Sequence, residues 1–479
     1  MRRQTKIIGT LGPASSTAPV IRAMISGGID LVRHNLSHGN IDAHCSCARL
    51  VRELAVGEKT VGQIFDLPGA KLRIGGFRQG RVELTVGQSF ILDTICGANE
   101  GDARRVGVNP HILSRGIIRG SCLLLDDGRI QLGVDKVTAS RIICRVISGG
   151  VLLDHKGVNV SGGGSAQPAF STQDRAYMQA AVRGADPDYF AVSFVTGPED
   201  ISIARGCLKA LGSRAGLIAK IERRVALENL DDIIQAADAV MIARGDLGDD
   251  VGDARLPAIQ KEIIGQARRW RVPVITATQM MESMISNPVP TRAEVFDVAN
   301  AVALGTDALM LSAETASGDF PVQVIEKMAE IAAQAEVQAD ACSMPRMETH
   351  SALPDEAIAM AAMYAAAYAE VKAILVLTES GRAPLWMSRV SSCTAIPLYA
   401  LTADAGVRGR MALYRGVHPI ALPEHDGDNR VLIRQAMVRL IAHACIAGED
   451  VVILLRDAPY RQGVANTLEI LNAKDVLAG

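Results

Sequence analysis

Along this chain, short runs of aliphatic and β-branched residues alternate with stretches of helical length, a rhythm that predicts α/β architecture around a parallel sheet. Runs at residues 5–10, 30–35, 61–66, 188–194, 216–222, 238–244, 273–278 and 307–312 read as strands. They match in number the strands that close a (β/α)8 TIM barrel. Most end in a polar cluster: Arg33 with Asn35, Asp66, Ser193, Lys220 with Glu222, Arg244 with Asp246, Thr278, and Ser312 with Glu314. Such a barrel builds its active site at the C-terminal ends of its strands, so chemistry is expected there.

One interval breaks the rhythm. About 120 residues separate the third run from the fourth, where a barrel connection needs a few tens. Short strand-like segments at 81–86, 121–126, 129–134 and 141–147, with turns at Asp127-Gly128 and Gly149-Gly150, predict an inserted β-rich, barrel-like domain over 70–167 that caps the mouth. A linker at 343–354 then leads to strand-like runs at 372–378, 396–401, 418–422 and 451–455. These predict an open-sheet α/β domain over 342–479, leaving 1–69 and 168–341 for the barrel.

Composition narrows the class. Of 479 residues, 48% are hydrophobic and 4% aromatic, which describes cores of Ala, Val, Ile and Leu in a chain long enough for about three or four domains. Fifty Lys and Arg against 52 Asp and Glu leave a net charge of −2, so no positive field exists to hold a nucleic acid. The longest nearly uncharged apolar stretch, 357–369, is far short of the ~20 residues that span a bilayer. The N-terminus leads into a β-like run and not an apolar leader core, so neither a membrane segment nor a secretory signal is expected. Nine scattered Cys, with no CxxC pair and no His at zinc-ligand spacing, point to reduced thiols and a cytoplasmic protein.

The sharpest constellation is Ala219-Lys220-Ile221-Glu222. Side chains alternate along a strand, so Lys220 and Glu222 face one side and Ile221 the other. A surface ion pair would look the same in isolation. The next strand, however, ends in Ala243-Arg244-Gly245-Asp246, where Gly245 permits close backbone approach and Asp246 offers a second hard oxygen ligand. Two carboxylates from adjacent strands, completed by substrate oxygens and water, suit Mg2+ better than a soft-ligand metal. For Asp246 by itself the alternative is a helix N-cap, since a loop and then a helix near Pro257 are expected to follow. Thr278 ends the following strand, where a hydroxyl can bond a substrate or order a water for proton delivery. Across the mouth, Arg33, Asn35, Ser37 and His38 follow the second strand, and Asp66, Lys71 and Arg73 the third. Arg33, Arg73 and Lys220 opposite a divalent ion would neutralise a small phosphorylated carboxylate, because a guanidinium donates two parallel bonds to phosphate. Solvated surface charge is the alternative for each Arg, and their shared address at strand ends argues against it.

Ten segments, in order, resemble the pyruvate kinase family over essentially the whole chain: 5–13 (TKIIGTLGP), 32–39 (VRHNLSHG), 66–73 (DLPGAKLR), 125–128 (LDDG), 156–159 (KGVN), 220–222 (KIE), 243–248 (ARGDLG), 276–284 (TATQMMESM), 290–294 (PTRAE) and 311–315 (LSAET). The resemblance implies a barrel A domain, an inserted B domain and an α/β C domain, usually in a homotetramer. It also implies Mg2+-dependent transfer of the phosphoryl group of phosphoenolpyruvate to ADP, giving pyruvate and ATP. By this match Arg33 and Arg73 hold the phosphate, and Lys220 stabilises it in the transition state, where charge spreads over the equatorial oxygens. Glu222 and Asp246 bind Mg2+. Gly245, Asp246 and Thr278 contact the substrate, while Asn35, Ser37, His38, Arg73 and Lys156 lie along the nucleotide. The family places the proton donor to the enolate near Thr278 and bound water.

The resemblance extends to regulation and to ions. Asn35, Ser37 and Asp66 match the oxygen ligands of a K+ ion needed by many relatives. Lys71 stands where those relatives carry Glu, as in a potassium-independent subset, so a tethered ammonium is expected to replace the ion, with a side chain pointing to solvent at the domain hinge as the alternative. Thr378, Ser380, Gly381 and Arg382 precede a helix expected from Ala383 and match the seat of a sugar-phosphate or nucleotide effector, with an ordinary strand-to-helix turn as the alternative. Departures are Ala70 for a usual Pro at the B-domain hinge, Leu67 for Thr, His34 for an apolar residue, Val225 for an acid, and Asp249-Asp250 for an apolar–Glu pair. None removes a catalytic group. Two other classes share part of the pattern. A barrel aldolase or lyase acting on pyruvate would not need the nucleotide-side segments, and a non-catalytic phosphometabolite sensor would be expected to have lost Lys220, Glu222 or Asp246.

Overall fold

The computed structural model describes residues 3–55, 59–69, 73–97, 99–114, 117–126, 128–160, 169–339, 354–390, 396–423, 429–442, 445–457 and 465–478. Eight parallel strands close a barrel in chain order: Lys6–Thr10, Leu31–Asn35, Gly62–Asp66, Tyr189–Val192, Gly216–Ile221, Ala239–Ala243, Val274–Ala277 and Ala308–Leu311, the last pairing with the first. Each falls inside one of the expected runs. Parallel strands sandwiched between interior and helices are buried on both faces, and all six residues of Gly216–Ile221 are.

Alternation along these strands decides what reaches the mouth. Ile8, Leu31, Ile64, Ala191 and Ile218 fill the barrel interior, whereas Phe65, Phe190, Leu217 and Ala219 pack outward beneath the helices. Stepping by two from the interior set brings Thr10, Arg33, Asp66, Ser193, Lys220 and Glu222 to the C-terminal ends with their side chains on the inner face. His34, out of step, is buried on the outer side against Phe65, ring centroids 4.6 Å apart, with Nε2 3.2 Å from Gln63 Oε1.

Between the third and fourth strands the chain makes its excursion. Six strands form one sheet in the order Val158–Val160, Cys122–Leu125, Ile130–Val137, Arg141–Ser148, Ser89–Asp93, Arg105–Gly107, and Gly150–Leu153 pairs with Arg81–Leu84 in a second. Four of these eight strands were not expected, and three of the four have only three or four residues, too short to show alternation. The chain returns into helix Thr172–Gly184, which starts on a capping box between Ser171 and Asp174. Asp174 Oδ1 also accepts the N–H of Gly69 at 3.0 Å, so the outgoing and returning strands of the excursion meet at one carboxylate.

A five-stranded sheet follows, ordered Val417–Ala421, Leu398–Thr402, Ala373–Leu377, Val451–Asp457, Ala465–Asn472, with only the last strand antiparallel. That edge strand was not expected: Asn, Glu and Thr interrupt its apolar pattern, and pairing decides its conformation. This domain sits against the N-terminal end of the barrel. Tyr189 Oη donates to Arg410 O at 3.0 Å, and Arg389 Nη1 to Asp307 Oδ2 at 2.8 Å. A Cβ on Gly409 would overlap the carboxylate of Asp188 at the foot of the fourth barrel strand.

Two local expectations need correction. Helix Arg244–Val251 begins directly after the sixth strand, where a loop was expected, because Asp246 in its first turn favours the positive helix end; the helix around Pro257, Leu256–Arg269, is a second one. The helix after Gly381 starts at Arg382, one residue early. Ala70, Lys71, Asp127, Cys342 and Cys393, and the linker through residue 353, lie outside the described residues. Cys45, Cys47, Cys96, Cys122, Cys144, Cys207 and Cys445 are free thiols. The stretch 357–369 lies largely in helix Pro354–Tyr368, and no helix among the described residues is long and apolar enough to cross a membrane.

Candidate active site

Lys220 sits at the centre of the mouth. Its Nζ lies 2.9 Å from Glu222 Oε1 and 3.2 Å from Asp66 Oδ1, and it donates to Ser193 Oγ at 2.8 Å. Asp66 Oδ2 accepts from Arg33 Nε at 2.7 Å, and Arg33 Nη1 donates to Thr10 Oγ1 at 3.1 Å. Five strand ends therefore meet around one carboxylate shared by two cations. Burial by itself would discharge the ammonium, but Asp66 and Glu222 outweigh it and hold the Lys220 pKa above its ordinary value. Burial likewise pushes Asp66 up, and Lys220 and Arg33 overcome it, leaving the carboxyl below the usual range. The result is a buried ammonium kept charged between two carboxylates.

Glu222 is a different case. Burial raises its pKa more than Lys220 lowers it, and the Asp246 carboxylate adds to the rise. Its second oxygen accepts the N–H of Phe194 at 2.6 Å, a residue held at φ 58°. A buried carboxylate whose proton affinity is raised by burial and by a second carboxylate creates a demand for a hard cation. Among the described residues no group of three or more His, Cys, Asp and Glu could hold a metal by themselves. Glu222 and Asp246, two hard carboxylate donors near the ends of adjacent strands, fit Mg2+, which is bound through one or two carboxylates and completed by substrate oxygens and water.

The opposite wall is made by strands six and seven. By alternation Thr278 would follow Thr276 outward, but it adopts φ 67° and Gln279 φ 54°. A left-handed conformation costs about 1–2 kcal/mol per non-glycine residue, more for a β-branched one. The turn lets Thr278 Oγ1 accept the Gly245 N–H at 2.9 Å, while its hydroxyl donates to Ala277 O at 2.6 Å. Gly245 lies in the first turn of helix Arg244–Val251, where N–H groups have no partner within the helix.

The remaining predicted residues gather less tightly. Asn35 Oδ1 accepts the Ser37 N–H at 3.2 Å, and His38 O accepts from His44 Nε2 at 2.7 Å. Burial lowers the His38 pKa, with Arg73 and Arg33 adding to the effect, which places both guanidinium groups within electrostatic reach of that imidazole. Arg73 Nη1 donates to His155 O at 3.0 Å, and Lys156 Nζ lies 2.6 Å from Asp126 Oδ1, so these two cations are held by the inserted sheets. Far from the mouth, Thr378 Oγ1 accepts the Gly381 N–H at 3.0 Å and Ser380 Oγ the Arg382 N–H at 3.4 Å, with Gly381 at φ 78°. Asp250 Oδ2 accepts the Arg224 N–H at 2.7 Å, so the departure from Glu keeps an acceptor there. Sequence reasoning missed Asp66 as the common counterion and Ser193 as the third partner of Lys220. Both stood in the strand-end clusters, but their convergence needs the barrel to be closed.

A model of the pyruvate kinase barrel domain matches residues 2–325, and one of the pyruvate kinase alpha/beta domain matches 356–471. The chain belongs to the pyruvate kinase family. Pyruvate kinase II of Salmonella typhimurium is 42% identical over 480 residues, covering 98% of this chain and 99% of the relative. The pyruvate kinases of Buchnera aphidicola from Acyrthosiphon pisum and of Haemophilus influenzae are each 43% identical, over 98% and 87% of this chain and 98% and 88% of their own lengths. Kinship with the pyruvate kinases thus extends across both the barrel and the α/β domain, and the chain is an enzyme of glycolysis, a kinase that forms pyruvate.

Proposed function

We propose that the pyruvate kinase activity of this chain, transfer of the phosphoryl group of phosphoenolpyruvate to ADP, runs through Lys220 as the transition-state cation, with Arg33 and Arg73 on the phosphate. The observation that carries this reading is the buried Lys220 ammonium, kept charged by Asp66 and Glu222 and aimed by Ser193. As an ADP oxygen attacks phosphorus and the bond to the enol oxygen breaks, charge spreads over the equatorial oxygens, and a cation fixed beforehand needs no reorganisation to meet it. Gly245 and Asp246, in the first turn of helix Arg244–Val251, and Thr278, at the end of the seventh strand, orient the substrate, and Asn35, Ser37, His38, Arg73 and Lys156 line the nucleotide. The enolate left behind takes its proton at the methylene carbon from the side of Thr278. Glu222 and Asp246 would hold Mg2+, which supplies charge neutralisation for the phosphate oxygens when bound.

The finer assignments rest on the same match. Lys71 replaces the K+ that Asn35, Ser37 and Asp66 would otherwise ligate; both oxygens of Asp66 already face cations, which supports an ion-independent site. Residues 1–69 with 168–341 form the catalytic domain, 70–167 the lid and 342–479 the regulatory domain of a cytoplasmic homotetramer. Thr378, Ser380, Gly381 and Arg382 seat the phosphate of a sugar-phosphate or nucleotide effector. The direct test measures pyruvate formed from phosphoenolpyruvate and ADP, with and without Mg2+, for wild type and Lys220→Met. Mg2+-dependent turnover is expected in the wild type, with kcat lower by at least ~10³ in the variant while phosphoenolpyruvate still binds. Near-normal turnover of Lys220→Met would sink the assignment.

A further inference from the structure

Arg244 is a buried cation at the mouth to which phosphoryl transfer gives no task. Its donors converge on one short segment and on two helices. Nε and Nη2 donate to Thr278 O at 3.1 and 2.8 Å, and Nη2 also to Gln279 O at 3.0 Å with Met280 Sδ 2.9 Å away. Nη1 reaches Asp297 Oδ1 at 2.8 Å, on helix Arg292–Leu304, and Gln260 Oε1 at 3.4 Å, on helix Leu256–Arg269.

The segment so gripped is the one with left-handed backbone at Thr278 and Gln279. Backbone of that kind persists only where its surroundings over-determine it. Here the surroundings are one planar fork, which offers several donors in fixed directions and can take two successive carbonyls and a carboxylate at once. The contact is also reciprocal: the side chain of residue 244 holds the backbone of 278, and the Thr278 hydroxyl holds the backbone N–H of 245. The ends of the sixth and seventh strands are closed on each other by two consecutive residues from each.

We propose that Arg244 is a positioning residue for the reaction: by fixing Thr278 and Gln279 in their left-handed turn, it sets the Thr278 hydroxyl and the Gly245 amide where they meet the substrate. Asp297 and Gln260 aim the guanidinium. Lysine keeps the charge but not the fork, and a single ammonium cannot hold both carbonyls and Asp297 in the same directions. The inference rests on Thr278 contacting the substrate, so its test separates the two claims.

The experiment is a double-mutant cycle on kcat and on the KM for phosphoenolpyruvate, with Arg244→Lys, Thr278→Ala and the two combined, each checked for folding by its thermal midpoint. Arg244→Lys is expected to lower kcat by about 30–100-fold beside Thr278 and by less than about 3-fold in the Thr278→Ala background, the non-additivity of groups that act as one unit. A merely structural role predicts the same loss in both backgrounds, and that outcome overturns the proposal, as does wild-type kcat in Arg244→Lys. If Thr278→Ala itself turns over normally, the substrate contact assigned to Thr278 falls, and the clasp has nothing to position. Should Arg244→Lys not fold, Asp297→Asn keeps the guanidinium and loosens its aim; a kcat lower by about 3–10-fold beside Thr278 and unchanged in the Thr278→Ala background supports the clasp, and equal effects in both reject it.

Discussion

Glu222 and Asp246 repel each other's ionised forms, and removing either charge should be felt first as a change in the cation needed. Glu222→Gln or Asp246→Asn is expected to raise the Mg2+ concentration for half-maximal rate at least ~10-fold, since each removes one of two anionic ligands. An unchanged Mg2+ titration would place the metal elsewhere. Lys71 carries a second expectation at this scale. Replacing K+ by a bulky organic cation at equal ionic strength should leave the wild-type rate nearly intact, while Lys71→Glu should acquire K+ dependence. A loss above ~10-fold in the wild type, or ~1.4 kcal/mol of transition-state stabilisation, would give the role to the ion. Lys220 with Glu222 was legible in the sequence because strand alternation is a local rule. The inward turn of Thr278 was not, since nothing about a Thr announces a positive φ, and the grip of Arg244 on that turn joins residues more than 30 positions apart.

At the scale of elements, all eight barrel strands could be read from aliphatic runs, because burial on both faces leaves an unbroken apolar signature. Strands of three residues in the insertion and the Asn- and Glu-bearing edge strand of the last sheet could not, since partners across the ladder, and not their own pattern, hold them. The foot of the fourth strand has its own titration. Burial raises Asp188 from 3.8 to about 6, against the opposing pull of Arg52 and the N–H bond from Gln63. Below about pH 4 the carboxyl is protonated in both folded and unfolded chains and contributes no penalty. Between about 4 and 6 the unfolded chain ionises first, so stability falls as pH rises, and above 6 the loss is complete. The stability of Asp188→Asn relative to wild type should therefore grow by on the order of 1–3 kcal/mol from pH 4 to pH 7 in urea melts. A difference that is flat with pH would mean that Asp188 ionises normally beneath Gly409.

For the whole molecule, the sheet that begins with Ala373–Leu377 meets the barrel at its closed end, opposite the mouth, through Arg389 with Asp307 and Tyr189 with Arg410. An effector phosphate at Ser380 would sit just before the start of helix Arg382–Val390, which carries Arg389 in its last turn. Activation curves with phosphorylated sugars should thus be lost in Ser380→Asp while the unactivated rate is kept; equal activation of both proteins would reduce that loop to a plain turn. The excursion between the third and fourth strands has a quieter consequence. Because Asp174 joins Gly69 to the start of the returning helix, the chain leaves and re-enters the barrel through a single doorway. Closing a loop becomes less favourable only with the logarithm of its length, about 0.6 kcal/mol for each doubling, so the ring of strands is almost indifferent to how much polypeptide lies beyond that doorway. The barrel can therefore complete its hydrogen-bonded circuit before the guest sheets have formed, and a guest of quite different size could lodge at the same threshold without changing the register of any strand in the host.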